Sequence, residues 1–388
     1  MEKDKMEAQR KRKVKKTIVF YIATLTRGGA ERVIVNLANY FCREGYETYM
    51  VTLEPEEGLY PMEEGIRQIV LPMSPGGGLA VRIGNALGRI TQVRRLLKET
   101  EAMALVTFIG KTNIRGILAG LGLKTKVFVS VRSAPGREYA GKFQQTLAKI
   151  LFCLAGGAVF QSEGARDFFP GPVRKKSCIL YNPLSPEYVR PLFTGDRKGG
   201  IVTVGRMDRV KNHRLLVDAF SIVARERPDM ELTIYGGGEC MGEVREQARK
   251  LGLTDRVNLP GDTKEIPDKI KDANVFVLSS DFEGMPNAVA EAFAMGVPVV
   301  STDCPSGGAR MLVKEEETGL LVPVGNKEKM AEAILRILQD EKLAAHLRET
   351  AFAFSQTLHP DKINEMWKNY IEDICKSKAW SKRRGKRK

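Results

Sequence analysis

"IVTVGRMDRVKNHRLLVDAFSIVARERPDMELTIYG", residues 201–236, reads as an apolar strand, a loop, an amphipathic helix and a second strand. The same order has already occurred once in the chain. "TIVFYIA" (17–23) is an apolar, β-branched run, followed by a glycine-containing loop. "AERVIVNLANYFCREG" then has helical spacing closed by Gly45, and "TYMVTL" (48–53) is the next strand. Strands alternating with helices give a parallel sheet covered on both faces. Because the pattern starts twice, the expectation is an α/β chain of two Rossmann-like, doubly wound domains facing across a cleft.

Further strands are expected at 104–109, 126–131, 157–162 and 178–182, and after the restart in "RVNLPG" and "NVFVLSS". These fix the boundaries. Residues 17–182 form the first domain, 183–199, rich in proline, the connection, and 200–358 the second domain. A last helix follows at 359–375. The ends, 1–16 and 376–388, carry five and eight excess positive charges and are expected to be disordered. The body between them is almost neutral, although the whole chain of 388 residues stands at +15. That excludes a uniformly basic nucleic-acid-binding surface. Six scattered cysteines without a CxxC pair point away from a zinc site or disulfide framework and toward a reducing, cytoplasmic setting. No apolar run approaches the roughly 20 residues of a membrane span.

The loops at strand ends carry the chemistry. In "IVTVGRMDRVKNH", Gly205 ends a strand, and Arg206 and Lys211 flank a short loop before a helix. Two cations beside a helix N-terminus suit an anion. Gly28 and Gly29 follow the first strand, where backbone can approach a ligand, but the third glycine of a dinucleotide fingerprint is missing. Gly236 and Gly237, in "YGGGE", fit either a flat nucleobase resting on backbone or a tight turn. In "SSDFEGMPNAVAEAFAMGVPVVST" (279–302), Glu283 lies in a turn and Glu291 on an otherwise apolar helix. A carboxylate in such a helix is costly without a partner. Two carboxylates near one strand end, with a cationic loop in the same sheet, suggest acceptors for sugar hydroxyls beside a site for phosphates.

At these residues the chain resembles the family 4 retaining glycosyltransferases, which have the GT-B fold. The resemblance runs over roughly 17–375. Its most specific part is the E-x7-E pair, Glu283 and Glu291, supported by "VGRMDRVKN", "YGGGE", "TGLLVPVGN" and "TRGGAERV". It implies that Arg206 and Lys211 hold the donor diphosphate and that Glu291 binds the ribose. Glu283, with the backbone at Gly284, Met285 and Asn287, would hold the transferred sugar. Gly28 and Gly29 would close over the diphosphate, and the last helix would cross back to the first domain. Two departures stand out. The three histidines, 213, 346 and 359, all lie in the second half, so a first-domain catalytic histidine is absent; Arg132 stands near its place and is a candidate sugar or acceptor contact. Met311 stands where a glutamate commonly follows "PSGG".

The implied reaction moves a hexose or N-acetylhexosamine from a nucleoside-diphosphate sugar, UDP favoured over GDP, to a hydroxyl of a glycan or polyprenyl-diphosphate-linked acceptor. It keeps the anomeric configuration and needs no metal and no cofactor. The alternatives are a sugar-nucleotide epimerase of the same fold and an anionic-polymer or nucleic-acid binder driven by the tails. "GLAVRIGNALGRITQVRRLLKET" (78–100) reads as a helix. It either simply packs on the first sheet or turns a basic side, with Arg89, Arg94 and Arg95, to anionic headgroups or an acceptor's diphosphate. The second reading places the protein peripherally at the inner face of a membrane.

Overall fold

The computed structural model describes residues 16–25, 28–55, 60–71, 78–305 and 307–377. The two basic tails, apart from Lys16, Lys376 and Ser377, lie outside the described residues, as do Arg27 and Ser306.

The chain divides into two compact units. Unit 1 runs to Leu180 and resumes at Asn364; unit 2 is Tyr181–Ile363. Unit 1 contains β1 (Thr17–Tyr21), α1 (Gly29–Arg43), β2 (Glu47–Thr52), β3 (Ile66–Val70), α2 (Leu79–Glu99) and β4 (Ala104–Phe108). After these come α3 (Gly110–Gly120), β5 (Lys126–Ser130), α4 (Lys142–Phe152), β6 (Gly157–Phe160) and β7 (Ser177–Ile179). The seven parallel strands lie in the order β3-β2-β1-β4-β5-β6-β7. β1, β4 and β5 are buried along their whole length, as a sheet covered on both faces demands.

Unit 2 contains β8 (Ile201–Val204), α5 (His213–Glu226), β9 (Leu232–Tyr235), α6 (Met241–Lys250), β10 (Val257–Gly261) and β11 (Val275–Leu278). It continues with α7 (Asn287–Ala294), β12 (Val299–Thr302), β13 (Leu320–Val322), α8 (Lys327–Gln339) and α9 (Glu341–Ser355). Its six parallel strands run β10-β9-β8-β11-β12-β13. In both sheets the strand order turns back beside the first strand of the unit, the arrangement of doubly wound folds. All six cysteines are free thiols.

The last helix, α10 (Pro360–Lys376), begins in unit 2 and belongs to unit 1 from Asn364 onward. Its buried side chains Ile363, Trp367 and Ile371 recur every four residues, one stripe of a helix. Trp367 stacks on Phe108 at 5.8 Å between ring centroids. The Tyr370 hydroxyl donates to Lys176 O at 2.6 Å and accepts from the Ala158 N–H at 2.9 Å. Glu372 pairs with Lys16 and Lys376 and accepts from the Tyr46 hydroxyl. These partners hold its carboxyl down to about 2.

Candidate functional site

The loop between β8 and α5 is built by its own side chains. Asp208 accepts the N–H groups of Val210 and Lys211, both at 3.0 Å, the short-range bond that favours aspartate in turns. Asn212, left-handed at φ +47°, caps α5 by accepting from Leu215 N–H at 3.3 Å. The segment after β11 is stitched onto this loop. Asp281 N–H donates to Val210 O at 2.9 Å, and the Ser279 hydroxyl to Lys211 O at 2.9 Å. Asn212 Nδ2 reaches Asp281 Oδ1, also at 2.9 Å.

These bonds bring Lys211 to Glu283. The Lys211 ammonium pairs directly with the Glu283 carboxylate, which also accepts from the Ser280 hydroxyl at 2.7 Å. Both side chains are largely covered, 23% and 11% exposed. Arg206 is three-quarters exposed and pairs with Asp208 at 3.2 Å. The pair Lys211–Glu283 is thus formed in the chain, while Arg206 sits at the mouth of the same loop. Eight residues beyond Glu283, Glu291 is buried among Val289, Ala290, Ala292 and Phe293 on α7.

The segment from Gly284 to Asn287 is fixed from two sides. Met285 Sδ accepts the Asn182 N–H at 3.0 Å, and Asn182 Nδ2 donates to Asn287 Oδ1 at 2.6 Å. On the other side Gly308 presses against it, and a Cβ at Gly308 would stand 1.5 Å from Gly284 O. Gly236 has φ +124°, and a Cβ there would stand 2.1 Å from Gly205 O. Gly236 and likewise Gly238 are therefore required by the close approach of two loops, whatever rests on them, while a Cβ at Gly237 would meet nothing closer than Asp262 at 3.8 Å. Gly237 donates its N–H to Asp262 at 3.2 Å.

His213 escaped the reading of the sequence, as did Ser280 and Asn182. His213 is buried at the start of α5, and its Nδ1 has no hydrogen-bond partner among the described residues. Burial, and then the Lys211 charge, hold its imidazole down to about 4. It lines a cavity of about 340 Å³ with Asp208, Asn212, Cys240 and Asp281. Nothing in the sequence set this histidine apart from the two surface ones. Among the described residues, no group of three or more His, Cys, Asp or Glu side chains is placed to hold a metal.

The remaining candidates lie in unit 1. Gly28 is the N-cap of α1 with extended backbone, and Gly29 is the first residue of that helix. Arg132 is buried just beyond β5, 4.7 Å from the centroid of the Phe108 ring, and burial pulls its guanidinium down to about 9. Its backbone N–H donates to Glu138 at 3.0 Å; the same carboxylate accepts from Gly110 N–H at 2.7 Å. The expected basic side of α2 is not one surface. Arg89 is buried, Arg94 donates to Ala119 O and Leu121 O at 2.9 and 2.6 Å, and Arg95 alone of the three is exposed. The arginines alternate between faces because their spacing, 89, 94 and 95, does not follow one helical stripe.

Residues 198–340 match the glycosyl transferases group 1 family, over the stretch that contains Arg206, Lys211, Glu283 and Glu291. This segment is a glycosyl transferases group 1 domain. Over 358 residues the chain is 24% identical to an alpha-1,4-N-acetyl-D-galactosaminyltransferase of Campylobacter jejuni whose named substrate is a GalNAc-GalNAc-diNAcBac-PP-undecaprenol, covering 92% of this chain and 98% of that one. A second C. jejuni enzyme, N-acetylgalactosamine-N,N'-diacetylbacillosaminyl-diphospho-undecaprenol 4-alpha-N-acetylgalactosaminyltransferase, is 27% identical over 83% of this chain and 90% of its own. Among solved structures, Anabaena HepE in complex with UDP superposes with a TM-score of 0.78 at 18% identity, covering 92% of this chain and all of that one. Sucrose-phosphate synthase of Thermosynechococcus elongatus gives 0.78 at 20% identity, covering 94% and 100%. The glycosyltransferase domain and unit 1 thus have the two parallel sheets of GT-B glycosyltransferases.

Proposed function

We propose that the chain transfers a hexosyl or N-acetylhexosaminyl group from a UDP-sugar to a hydroxyl of a lipid-linked glycan, with retention and without a metal. The observation that carries this reading is the Lys211–Glu283 pair at the carboxyl end of the unit 2 sheet. A donor entering there exchanges partners with both side chains. Its diphosphate takes the Lys211 ammonium and its sugar hydroxyls take the Glu283 carboxylate. Glu291, buried on α7, is assigned the ribose. As the diphosphate leaves, charge builds on it, and the largely covered Lys211 stabilises that charge, with Arg206 adding its own from the exposed mouth of the loop. The leaving phosphate then accepts the proton of the attacking hydroxyl on the same face.

The named substrates of the C. jejuni relatives support a polyprenyl-diphosphate acceptor, and HepE, with its bound UDP, supports the nucleotide. Residues of unit 1 support a place at an anionic membrane. No helix among the described residues is long and apolar enough to cross a bilayer. On one sheet face α2, α3 and α4 lie side by side. Leu79, Ile83 and Leu87 of α2 and Phe143 and Ile150 of α4 are exposed there, 52–79% of each surface. Arg82, Arg95, Lys98 and Lys142 are exposed on the same helices. Apolar side chains flanked by lysine and arginine suit the headgroup region of an anionic leaflet.

The test is to incubate the chain with UDP- and GDP-sugars, with and without a polyprenyl-diphosphate-linked glycan, and to assign the product anomer by NMR. Transfer from a UDP-sugar with the donor's anomeric configuration, unaffected by chelator, is expected. Conversion of donor without acceptor would establish an epimerase instead, and a requirement for a divalent ion would overturn the metal-free mechanism.

A further inference from the structure

Unit 1 holds a second concentration of positive charge, at the carboxyl end of β1. The strand order turns back between β1 and β4, and open α/β sheets take their ligands in the crevice at that switch point. Tyr21, the last residue of β1, lies in register with Thr107 of β4. Its side chain is fully buried, and its hydroxyl lies within reach of the Arg115 guanidinium, a donor rather than an acceptor. Arg89, on α2, is 7% exposed, and its Nε and Nη2 have no hydrogen-bond partner among the described residues. Arg115 is half-buried on α3, the helix packed beside α2. Its charge acts on both the Tyr21 hydroxyl and Arg89. Glu54 is the carboxylate that acts on Arg89, and it is exposed and forms no ion pair with it.

Two guanidiniums and a phenol therefore converge, and two donors of Arg89 find no acceptor among the described residues. Buried donors are normally satisfied, and a pair of like charges drawn together away from water is unfavourable until something neutralises them. Both costs fall together if an anion with several acceptor oxygens enters. The guanidinium fork matches phosphate oxygens two at a time. We infer that Arg89, Arg115 and Tyr21 form an anion site that takes the diphosphate of the acceptor. The inference rests on the proposed transfer to a diphosphate-linked glycan, and it assigns the acceptor's charged group to unit 1 while the donor's diphosphate goes to Lys211.

The probes are inorganic pyrophosphate, a short-chain prenyl diphosphate and glycerol phosphate as a lipid-headgroup mimic. Each is titrated calorimetrically into full-length protein saturated with UDP, so that the Lys211 loop is already occupied. Both diphosphates are expected to bind at one site, at least tenfold more tightly than glycerol phosphate. Arg89→Gln and Arg115→Gln should each weaken them at least tenfold, Tyr21→Phe less, with UDP affinity unchanged. Arg89→Gln removes a buried charge that forms no ion pair among the described residues, so its melting temperature without ligand should hold or rise. Should that variant misfold, Arg115→Gln, half-buried on α3, decides alone. Absence of diphosphate binding, or equal binding by the arginine variants, overturns the site. Glycerol phosphate binding as tightly as the diphosphates overturns the acceptor assignment in favour of a membrane headgroup. If UDP fails to bind, the donor reading fails, and the same titrations into Lys211→Ala protein still judge the unit 1 site.

Discussion

Both sheets bring cations to the carboxyl end of the strand where their order turns back, and they balance that charge in opposite ways. In unit 2, Lys211 lies beyond β8 and meets a built-in carboxylate, Glu283, which is further held by Ser280. In unit 1, Arg89 and Arg115 gather near Tyr21 with no carboxylate bonded to either among the described residues. A cation with an internal partner is ready to exchange that partner for a ligand. A cation without one is strained until a ligand arrives. The first arrangement suits a group that must be handed over during reaction, the second a group that must be anchored.

The largest effect is expected at the Lys211–Glu283 pair. Lys211→Ala removes the cation assigned to the leaving diphosphate and breaks its ion pair with Glu283, 11% exposed. Losing one preorganised charge-stabilising group costs about a hundredfold in rate or more. Steady-state transfer assays should show that loss, and near-normal kinetics would mean that the pair is structural.

Glycines sharpen the contrast at a smaller scale. Gly308→Ala would drive a Cβ into the backbone carbonyl of Gly284, 1.5 Å away. Overpacking of this kind costs about 1–3 kcal/mol or more, so the melting temperature of unit 2 and donor binding should both fall. At Gly28 the backbone is extended and the atom in the way is the mobile end of Glu31, so Gly28→Ala should leave the melting curve almost unchanged. Equal effects at the two positions would remove the view that the unit 2 loops are the more tightly packed.

The smallest effect concerns pH. His213 titrates at about 4 in the fold against 6.5 when free, so the unfolded chain takes up the proton first. Stability from its neutral form is complete above about pH 6.5 and is lost as pH falls toward 4, by about 3 kcal/mol at most. Denaturant melts of unit 2 between pH 7 and pH 4 should slope less in His213→Gln than in the unaltered chain. Parallel slopes would show that the imidazole is not buried neutral.

How much of this could be read from the sequence depended on how each element is buried. β1, β4 and β5 are covered on both faces and appear as unbroken apolar runs, so they were legible. β3, Ile66–Val70, escaped because it is an edge strand with only Ile66 buried, so its polar residues read as loop. α3 escaped because its N-cap, Ile109, has φ +71°, a conformation that no apolar pattern announces. At the site, Glu283, Glu291 and Lys211 could be named because their carboxylates and ammonium stand out against glycine loops and an apolar helix. The inward turn of Arg89 was hidden, since helix charges look alike until the neighbouring helix is in place. Ser280 and Asn182 were hidden for a related reason: each acts on a residue remote or unremarked in sequence.

In the proposed function the two glutamates divide the donor between them. Calorimetric titration of UDP, which carries the ribose and diphosphate but no transferred sugar, into the unaltered chain, Glu291→Ala and Glu283→Ala tests it most directly. UDP should bind the unaltered chain and Glu283→Ala within a few-fold of each other, while Glu291→Ala loses at least tenfold. Equal affinity in all three, or no UDP binding at all, would contradict the account.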